Sequence, residues 1–333
     1  MSKEKNNLLR LVDSFSGKKI AVWGDFILDE YVFGTTRRIS REAPVLIISY
    51  RNSEYSLGGA GNSVLNLKSL GAEVLPIGVI GSDTSGKKIL HILRKNGITT
   101  EFLIADKKYQ TAVKTRILAG EETARKQQVL RIDREEKVTD SSALKQKIQK
   151  FLQNVQGKVN ALLLSDYDYL TVKEDVFRRA LPGFKKRGIP VALDSRFRLL
   201  NFKGATVSTP NEPEVEGALH IRIDDDSQLL TKAGKELLQR SEAAAILITR
   251  GSKGMVLFEK GKLPFAIPIH GTTDIVDVTG AGDTVISVFT LALTCGASFK
   301  QAAQLANYAG SVVVMKKGTA TLSVSELKDA ISS

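Results

Sequence analysis

The chain has 333 residues, of which 42% are hydrophobic and 25% are charged, and its formal net charge is +12 at pH 7. A chain of this length and composition can bury a large core, which excludes a disordered or fibrous protein and predicts a soluble globular one. Cys295 is the only cysteine, so neither an intrachain disulfide nor a cysteine zinc site can form. This cysteine content fits a protein of the reducing cell interior.

The excess of basic residues is scattered along the chain as short pairs that are not interleaved with aromatic side chains. The longest basic run is Lys185-Lys186-Arg187. Solvated helix faces explain most of this charge, so nucleic acid is not an expected partner. Attraction of phosphorylated small molecules explains the excess of positive charge better than nucleic-acid binding does.

Residues 1–16 mix charged side chains with a few leucines, which predicts an amphipathic helix and not a signal peptide. No apolar run approaches the ~20 residues that are needed to span a bilayer, so no membrane partner is expected. These two features predict a cytoplasmic location.

From its first strand onward, the chain alternates short β-branched runs with amphipathic helices. The predicted strand 19–23 leads to Gly24-Asp25, and Asp29 lies a few residues further on. Carboxylates at the carboxyl end of a strand can accept hydrogen bonds from sugar hydroxyls, although Asp is also common in simple turns. A glycine-rich segment, 58–62, then opens a predicted helix; it either lets a ligand approach backbone amides or only supplies positive φ.

The middle of the chain indicates the fold class. Four predicted strands are apolar almost throughout, as parallel strands covered on both faces are: 161–164, 191–193, 206–208 and 245–249. Helices separate them, which predicts an α/β protein with a doubly wound, mostly parallel sheet. The extended segments at about 31–50 and 111–133 do not alternate with helices and predict a small β lid. No long linker is present, so a single domain over residues 1–333 is expected.

Two polar turns follow strands in the second half of the chain. Asn211 and Glu214 have the spacing of a capping box, and Thr249-Arg250-Gly251 ends an apolar strand. Either turn alone is compatible with a purely structural role.

Residues 277–283, Asp-Val-Thr-Gly-Ala-Gly-Asp, run directly into an apolar helical stretch. A helix that begins at Gly-Ala-Gly has free backbone amides at its N-terminus, and these favour a bound anion. Asp283 would be the neighbour of that anion, which indicates chemistry on a hydroxyl held between the two. Alternatively, Asp283 only complements the helix dipole and the glycines only form a tight turn.

Taken together, these motifs resemble the ribokinase-like (PfkB) carbohydrate kinases, and the resemblance covers essentially the whole chain. The family's DTGAGD-type signature matches 277–283, its diglycine motif matches 58–62, and its N-x-x-E motif matches Asn211 to Glu214. The resemblance implies a ribokinase-like fold and an ATP-dependent transfer of a phosphoryl group to a sugar hydroxyl.

Within the family, the chain is most similar to the kinases that phosphorylate C1 of D-glycero-D-manno-heptose 7-phosphate. Their product is the 1,7-bisphosphate for ADP-heptose and lipopolysaccharide core synthesis. Five stretches carry this closer resemblance: 24–29, 38–45, 164–167, 249–251 and 318–321. Bifunctional relatives also carry a nucleotidylyltransferase domain, which is not expected in a chain of 333 residues.

Three departures from the pattern of the heptose kinases leave the exact sugar open. Residues 168–170, Asp-Tyr-Leu, stand where a Lys-Gly usually follows Ser-Asp-Tyr, so one cationic group near the phosphates is missing. Residues 194–196, Asp-Ser-Arg, replace Asp-Pro-Lys, and Arg41 replaces a proline. Another PfkB-type sugar or nucleoside kinase therefore stays an alternative. A non-catalytic sensor is a further alternative, but it would not need Asp283.

The resemblance also implies a role for each matched residue. Asp283 would be the catalytic base, and the amides of Gly280, Ala281 and Gly282 would stabilise the transferred phosphoryl group. The other implied groups are Asp25, Asp29, Gly58, Gly59 and Asn62 for the sugar; Asn211, Glu214, Thr249, Gly251 and Asn307 for ATP; Glu214 for Mg²⁺ through water; and Asp277 with the Thr279 carbonyl for a monovalent cation such as K⁺.

Three basic residues of the predicted lid, Lys114, Arg116 and Arg131, are candidates for binding a second phosphate on the sugar. Alternatively, these residues are ordinary exposed charges on strands and have no binding role. Because exposed strand edges commonly pair, a homodimer through the lid is also expected.

Overall fold

Two β-sheets carry the architecture of the computed structural model, which describes residues 3–121, 126–271 and 275–333. In these residues, nine strands form the larger sheet and four form the smaller one. The strands in chain order are β1 (Lys19–Gly24), β2 (Phe26–Ile39), β3 (Leu46–Gly59), β4 (Glu73–Gly81), β5 (Leu103–Asp106), β6 (Val113–Gly120), β7 (Gln127–Arg134), β8 (Ala161–Asp166), β9 (Val191–Ser195), β10 (Val207–Ser208), β11 (Ala245–Thr249), β12 (Met255–Glu259) and β13 (Phe265–Ile267).

The helices connect these strands and complete the C-terminal part. In chain order they are α1 (Lys3–Asp13), α2 (Ala60–Ser69), α3 (Thr84–Lys95), α4 (Ser142–Val155), α5 (Glu174–Lys186), α6 (Glu212–Leu219), α7 (Ser227–Ser241), α8 (Ala281–Thr294), α9 (Phe299–Val313) and α10 (Val324–Ser332). Within the described ranges, none of them is both long and apolar enough to cross a membrane.

The larger sheet runs in the order β13-β12-β11-β10-β9-β8-β1-β4-β5. Neighbouring strands from β5 to β11 are parallel, and β12 and β13 add an antiparallel edge. This arrangement confirms the predicted α/β class and the mostly parallel sheet. It also brings the carboxyl ends of β1, β8, β9, β10 and β11 to one side of the sheet, where ligands of such folds bind.

Alternate residues of each central strand enter two different hydrophobic cores, because successive side chains of a strand point to opposite faces. In β8, Leu163 belongs to the core that contains Phe289 of α8. Leu162 and Leu164 belong to the other core, which contains Phe184 of α5. Both faces are therefore covered by helices, which explains the nearly continuous apolar sequence of these strands.

The smaller sheet has the order β3-β2-β6-β7 and is joined directly to the larger one. Only Asp25 separates the end of β1 from the start of β2, and β3 ends at Gly59, immediately before α2. The small sheet therefore starts at the carboxyl end of a central strand, beside the expected ligand site.

The strands of the smaller sheet are longer than the segments that the sequence indicates. β2 and β3 pair from Phe26 opposite Gly59 to Ile39 opposite Leu46, and so extend beyond the predicted 31–50 on both sides. The predicted limits are wrong because the apolar start of β2 resembles core sequence and the end of β3 resembles a helix-opening loop. In the predicted segment 111–133, residues 122–125 lie outside the described residues. The lid function and the single domain over 1–333 stay predictions.

Candidate active site

A cavity of about 320 Å³ lies between the carboxyl ends of the central strands, the start of α8 and the inner side of the smaller sheet. The structure brings most of the predicted site residues together in its wall. These are Asp29, Gly58, Gly59, Lys114, Arg116, Arg131, Asn211, Glu214, Thr249, Thr279, Gly280, Gly282 and Asp283. Residues that are far apart in sequence thus meet at one site, as expected for a strand-end site in an α/β sheet.

The start of α8 has the geometry of an anion site. Gly280 is the N-cap with φ of +77°, and a Cβ added there would lie 2.4 Å from Nδ2 of Asn62, so only glycine fits. The amides of Gly282 and Asp283 lie in the first turn, where a helix offers them no carbonyl acceptor. Ala281 differs from the prediction: its amide donates to the Val278 carbonyl (3.2 Å) and is used within the turn.

Asp283 is 2% exposed and is held by two donors, one on each carboxylate oxygen. Nδ2 of Asn62 donates to one oxygen (2.9 Å), and the Tyr167 hydroxyl donates to the other (3.2 Å). Burial raises the pKa of Asp283 well above its usual range, the charge of Asp194 adds to this, and the two hydrogen bonds oppose it. A carboxylate with a raised pKa is a stronger base than an exposed Asp, which suits proton abstraction from a hydroxyl.

Asn62, a predicted sugar ligand, is used by the protein itself. Besides Asp283, its Nδ2 donates to the Gly280 carbonyl (3.3 Å), and its Oδ1 accepts from Nδ2 of Asn66 (3.1 Å). It is completely buried. Its geometry is that of a residue that orients Asp283.

Asp25, a predicted sugar residue, binds backbone amides of the chain itself. Its carboxylate is 1% exposed and accepts from the backbone amides of Tyr167 (2.8 Å), Tyr169 (3.1 Å) and Thr171 (3.0 Å). It does not belong to the wall of the cavity. These three amides come from the loop after β8, so Asp25 organises that loop from outside the cavity wall.

The lid cations that are candidates for binding a phosphate reach the cavity, but each already contacts a carboxylate. Arg116 forms an ion pair with the buried Asp29. Lys114 lies 3.8 Å from Asp133 and 3.3 Å from Glu135, and Arg131 lies 2.9 Å from Asp133. Lys114 and Arg131 also line the third of three adjoining cavities, which meets the first beside Arg196.

Seven residues in the cavity wall were not among the predicted site residues, and four of these have ionisable side chains: Asp166, Tyr167, Asp194 and Arg196. All four stand at or just after the carboxyl end of β8 or β9, the same signal that singled out Asp25. In the described part of the chain, Arg196 forms no ion pair. Arg196 is therefore better placed than the paired lid cations to take up an incoming phosphate.

Asp194 and Glu214 form an acidic pair beside the start of α8. Burial, reinforced by the charge of Asp166, raises the pKa of Asp194 to about 7. Burial and the charge of Asp194 raise the pKa of Glu214 to about 8. Oxygen ligands whose charges repel each other suit Mg²⁺, which would relieve that repulsion. Among the described residues, no group of three or more potential ligands is arranged to hold a metal, so waters and phosphates would complete the coordination.

The capping box of α6 orients the second member of that pair. The side chain of Asn211 accepts from the amide of Glu214 (2.9 Å), and the Glu214 carboxylate accepts from the amide of Asn211 (2.9 Å). One oxygen of Glu214 is therefore fixed by the helix start while the residue still lines the cavity.

The predicted monovalent-cation residues lie next to α8. The carboxylate of Asp277 accepts from the amides of Thr279 (2.9 Å) and Gly318 (2.9 Å). Burial opposes the ionised form of Asp277, but these hydrogen bonds prevail and its pKa is lowered. These hydrogen bonds favour the ionised form of Asp277, which ties the turn before α8 to the loop before α10.

A second cavity, of about 440 Å³, adjoins the first and shares Asn211, Thr249 and Gly282 with it. Gly251 and Asn307, two other predicted ATP ligands, also line it. Its remaining wall is largely apolar: Met255, Ile269, Val278, Val285 and Val314. An apolar slot that opens onto a helix N-terminus suits a flat heterocycle joined to phosphates.

Comparison with known families and curated proteins agrees with the sequence resemblance. The pfkB family carbohydrate kinase model matches residues 18–326. Bifunctional protein HldE of Desulfatibacillum aliphaticivorans is 40% identical over 318 residues, which is 95% of this chain and 64% of that protein. Bifunctional protein HldE of Geobacter sulfurreducens is 37% identical over 325 residues, which is 97% of this chain and 65% of that protein. The chain thus spans less than two thirds of the length of these relatives.

Solved structures show the fold. Arabidopsis thaliana ribokinase, in complex with ribose and ATP, superposes with a TM-score of 0.72 at 21% identity, covering 95% of this chain and 99% of that one. Phosphofructokinase-2 of Escherichia coli, in complex with fructose-6-phosphate, gives 0.75 at 15% identity, covering 95% and 98%. The same enzyme in complex with potassium gives 0.72 at 15% identity, covering 95% and 98%. The predicted ribokinase-like fold is confirmed.

The acidic pair predicts an unusual pH dependence of stability in the absence of ligands. A carboxyl group whose pKa is raised by folding stabilises the protein fully below its unfolded pKa of about 4, and this contribution is lost as pH rises through the folded pKa. For Asp194 the loss falls between about pH 4 and pH 7. In metal-free buffer, we expect Asp194→Asn to gain melting temperature over the parent between pH 4.5 and pH 8.5, by at least about 2 °C.

Differential scanning calorimetry measures both melting temperatures. Asp224→Asn, at an exposed surface position, is the matched control and should follow the parent at both pH values. An Asp194→Asn protein that gains no melting temperature over the parent between these two pH values would show that folding does not raise the pKa of Asp194.

Proposed function

The chain belongs to the pfkB family of carbohydrate kinases, and from this premise we propose that it phosphorylates C1 of D-glycero-D-manno-heptose 7-phosphate with ATP. Membership makes it a phosphotransferase with an alcohol group as acceptor. The product would be the 1,7-bisphosphate, a precursor for ADP-heptose and lipopolysaccharide core synthesis. Because the chain spans only 64% of a relative such as the D. aliphaticivorans protein, no second activity is assigned to it.

One observation carries the choice of a phosphorylated sugar: basic residues lie on the side of the reaction site away from the second cavity. Lys114, Arg131 and Arg196 line the first and third cavities, and none of them lines the second. A substrate with a distal phosphate would place its hydroxyl at Asp283 and its phosphate among these cations. Guanidinium and ammonium contacts to phosphate are among the stronger polar interactions.

We propose that ATP occupies the second cavity. Its adenine and ribose would contact the apolar wall, Thr249, Gly251 and Asn307, and its phosphates would extend to the first turn of α8. That a ribokinase with this fold is in complex with ATP supports ATP as the nucleotide. Mg²⁺ would be held through waters by Asn211 and Glu214 and would neutralise charge on the phosphates.

Asp283 would take the proton of the C1 hydroxyl while the amides of the α8 start bind the transferred phosphoryl group. The raised pKa of Asp283 makes it a better base than an exposed aspartate. Because phosphoryl transfer has a loose transition state, correct positioning and late proton removal are sufficient. The structure offers both a fixed carboxylate and a fixed set of amides.

On the sugar side, we propose that Asp29 and the backbone of Gly58 and Gly59 bind hydroxyl groups. A Cβ added at Gly58 would lie 2.5 Å from Oδ2 of Asp29, so glycine leaves this oxygen accessible. Arg116 keeps the buried Asp29 balanced in charge. Asp277 and Thr279 are proposed for a monovalent cation such as K⁺, in line with the potassium complex of phosphofructokinase-2.

The smaller sheet and the turn between β2 and β3 carry exposed apolar side chains that fit a homodimer through the lid. They are Ile39, Val45, Leu46, Tyr50, Val129, Leu130 and Ile132. Exposed apolar residues on edge strands favour pairing with another chain, and a second copy is the partner that we propose. A cytoplasmic location, where ATP is available, remains part of this proposal.

A second candidate is a PfkB-type kinase for a different sugar or a nucleoside. The ion pairs of Lys114, Arg116 and Arg131 with carboxylates favour it, because these cations are already balanced without a phosphate. The Asp-Tyr-Leu at 168–170, in place of Lys-Gly, points the same way.

The catalytic base is tested by Asp283→Asn, which keeps the shape of the side chain but removes its basicity. We expect turnover to fall by about 10²–10⁴, the range for a positioned acid–base group, while ATP affinity stays within a few fold. Steady-state kinetics and a fluorescent ATP analogue measure the two quantities. Asp224→Asn is the surface control. Turnover within threefold of the parent would show that Asp283 is not the base.

The distal phosphate is tested by comparing a heptose 7-phosphate with the same heptose without its phosphate. We expect kcat/KM to be at least about 10²-fold higher for the phosphorylated sugar, and the ratio to narrow as salt is added, because exposed ion pairs are screened. Arg196→Ala should reduce the ratio, whereas Arg222→Ala, at a remote exposed position, should leave it unchanged. Equal kcat/KM for both sugars at low ionic strength would favour the second candidate function.

The dimer is tested by Leu130→Glu combined with Ile132→Glu, two side chains that are 52% and 54% exposed on β7. We expect light scattering to give twice the chain mass for the parent and the single chain mass for the variant, because charge on an apolar interface is costly to bury. Leu263→Glu, 86% exposed and outside the smaller sheet, is the control that should stay dimeric. A parent protein of single chain mass would exclude the proposed dimer.

A further inference from the structure

The loop after β8, residues 167–171, is organised by a buried carboxylate. Asp25 accepts from the amides of three alternate residues of this loop, at distances of 2.8 to 3.1 Å. Burial, reinforced by the charge of Asp166, raises the pKa of Asp25 to about 6, and the amide bonds oppose that shift. Such convergence of amides on one carboxylate fixes the backbone of a loop strongly.

The same loop contains two backbone conformations that are rare for residues other than glycine. Asp168 has φ of +67° and Leu170 has φ of +64°. Left-handed conformations at such residues persist when the surrounding contacts impose them. Here the surroundings include Trp23, whose Nε1 donates to the Thr171 carbonyl (3.2 Å), and Lys137, whose Nζ lies 2.7 Å from Asp168.

This rigid loop places the ring of Tyr167 between the base and the diglycine segment. The Tyr167 hydroxyl donates to Oδ1 of Asp283 (3.2 Å). A Cβ added at Gly59 would lie 3.3 Å from Cδ2 of Tyr167 and 2.7 Å from the Asp25 carbonyl, so glycine is needed for the ring to pack there. The ring packs against Gly59, and from there its hydroxyl reaches Asp283.

We propose that Tyr167 is a positioning residue that holds the Asp283 carboxylate in the orientation required to receive the proton of the substrate hydroxyl. The inference rests on the proposed role of Asp283 as the base. Asn62 donates to Oδ2 and Tyr167 to Oδ1, so rotation of the carboxylate is blocked at both oxygens. Each oxygen keeps a further lone pair for an incoming proton.

The charged groups that face Asp283 come from several elements. Asp194 at the end of β9 and Asp29 in β2 both disfavour its ionised form. Arg116 in β6 offsets Asp29 through their ion pair. Against the two carboxylates, the hydrogen bonds of Asn62 and Tyr167 favour ionised Asp283. Loss of the Tyr167 hydroxyl should therefore make Asp283 harder to ionise, so that the enzyme needs a higher pH.

The test is Tyr167→Phe, which keeps the ring and removes only the hydroxyl. We expect kcat to fall about 10- to 100-fold, the loss typical of one hydrogen bond to a charged group, with KM for ATP within about twofold of the parent. The acid limb of the kcat profile should move to higher pH by about one unit. A role only in folding would lower the melting temperature without moving the limb.

Tyr169→Phe is the matched control, because Tyr169 lies in the same loop but its hydroxyl donates to Glu135. Its acid limb should stay at the parent's pH. A Tyr167→Phe enzyme with an unmoved limb, or an equal shift in both variants, would overturn the proposal.

A direct titration separates this inference from the proposed function. Carbon-13 NMR of labelled aspartate carboxyls follows Asp283 in the ligand-free chain, with Asp283→Asn to assign the signal. We expect Tyr167→Phe to raise the pKa of that signal even if no sugar phosphate is a substrate. An unchanged pKa would overturn the inference, whereas absence of phosphorylation of every sugar in the parent would overturn only the proposed function.

Discussion

The buried carboxylate of Asp283 at the first turn of α8 is the constraint that the surrounding structure satisfies. A charged group with 2% exposure is costly unless donors compensate it, and Asn62 and Tyr167 are those donors. Each donor is fixed in turn, Asn62 by Asn66 in α2 and Tyr167 by the loop that Asp25 organises. The pKa of Asp283 is therefore set by elements from both halves of the chain, which makes the site sensitive to the fold as a whole.

The covalent path of the chain explains why the smaller sheet can serve the same site. β2 leaves the end of β1 after a single residue, and β3 returns directly into α2, which carries Asn62. The sheet that brings Asp29, Lys114 and Arg116 to the cavity is thus tied at both ends to residues that position the base. Any movement of this sheet on substrate binding would therefore also displace the start of β2 and the start of α2.

Much of the fold and of the site could be predicted from the sequence, because both depend on local patterns. Apolar strands alternating with helices indicated the parallel sheet, and the motifs around Asn211 and Gly280 indicated helix starts whose geometry the structure has. The sequence could not distinguish the role of Asp25 from that of Asp29. A carboxylate at the end of a strand faces either a ligand or the backbone, depending on the loop that packs against it. That loop depends on left-handed Asp168 and Leu170, which no residue pattern predicts. Tyr167 and Arg196 were not predicted as site residues, because their roles arise only where segments that are distant in sequence meet.

All the proposed roles serve one reaction, the transfer of a phosphoryl group from ATP to C1 of a heptose 7-phosphate. Phosphorus-31 NMR of the protein incubated with ATP, Mg²⁺ and D-glycero-D-manno-heptose 7-phosphate tests it most directly, because a C1 phosphate couples to the anomeric proton and gives a distinct signal. We expect this signal to appear in step with ADP while the 7-phosphate signal persists. ATP that remains unconsumed, or a new phosphate on a hydroxyl other than C1, would contradict it.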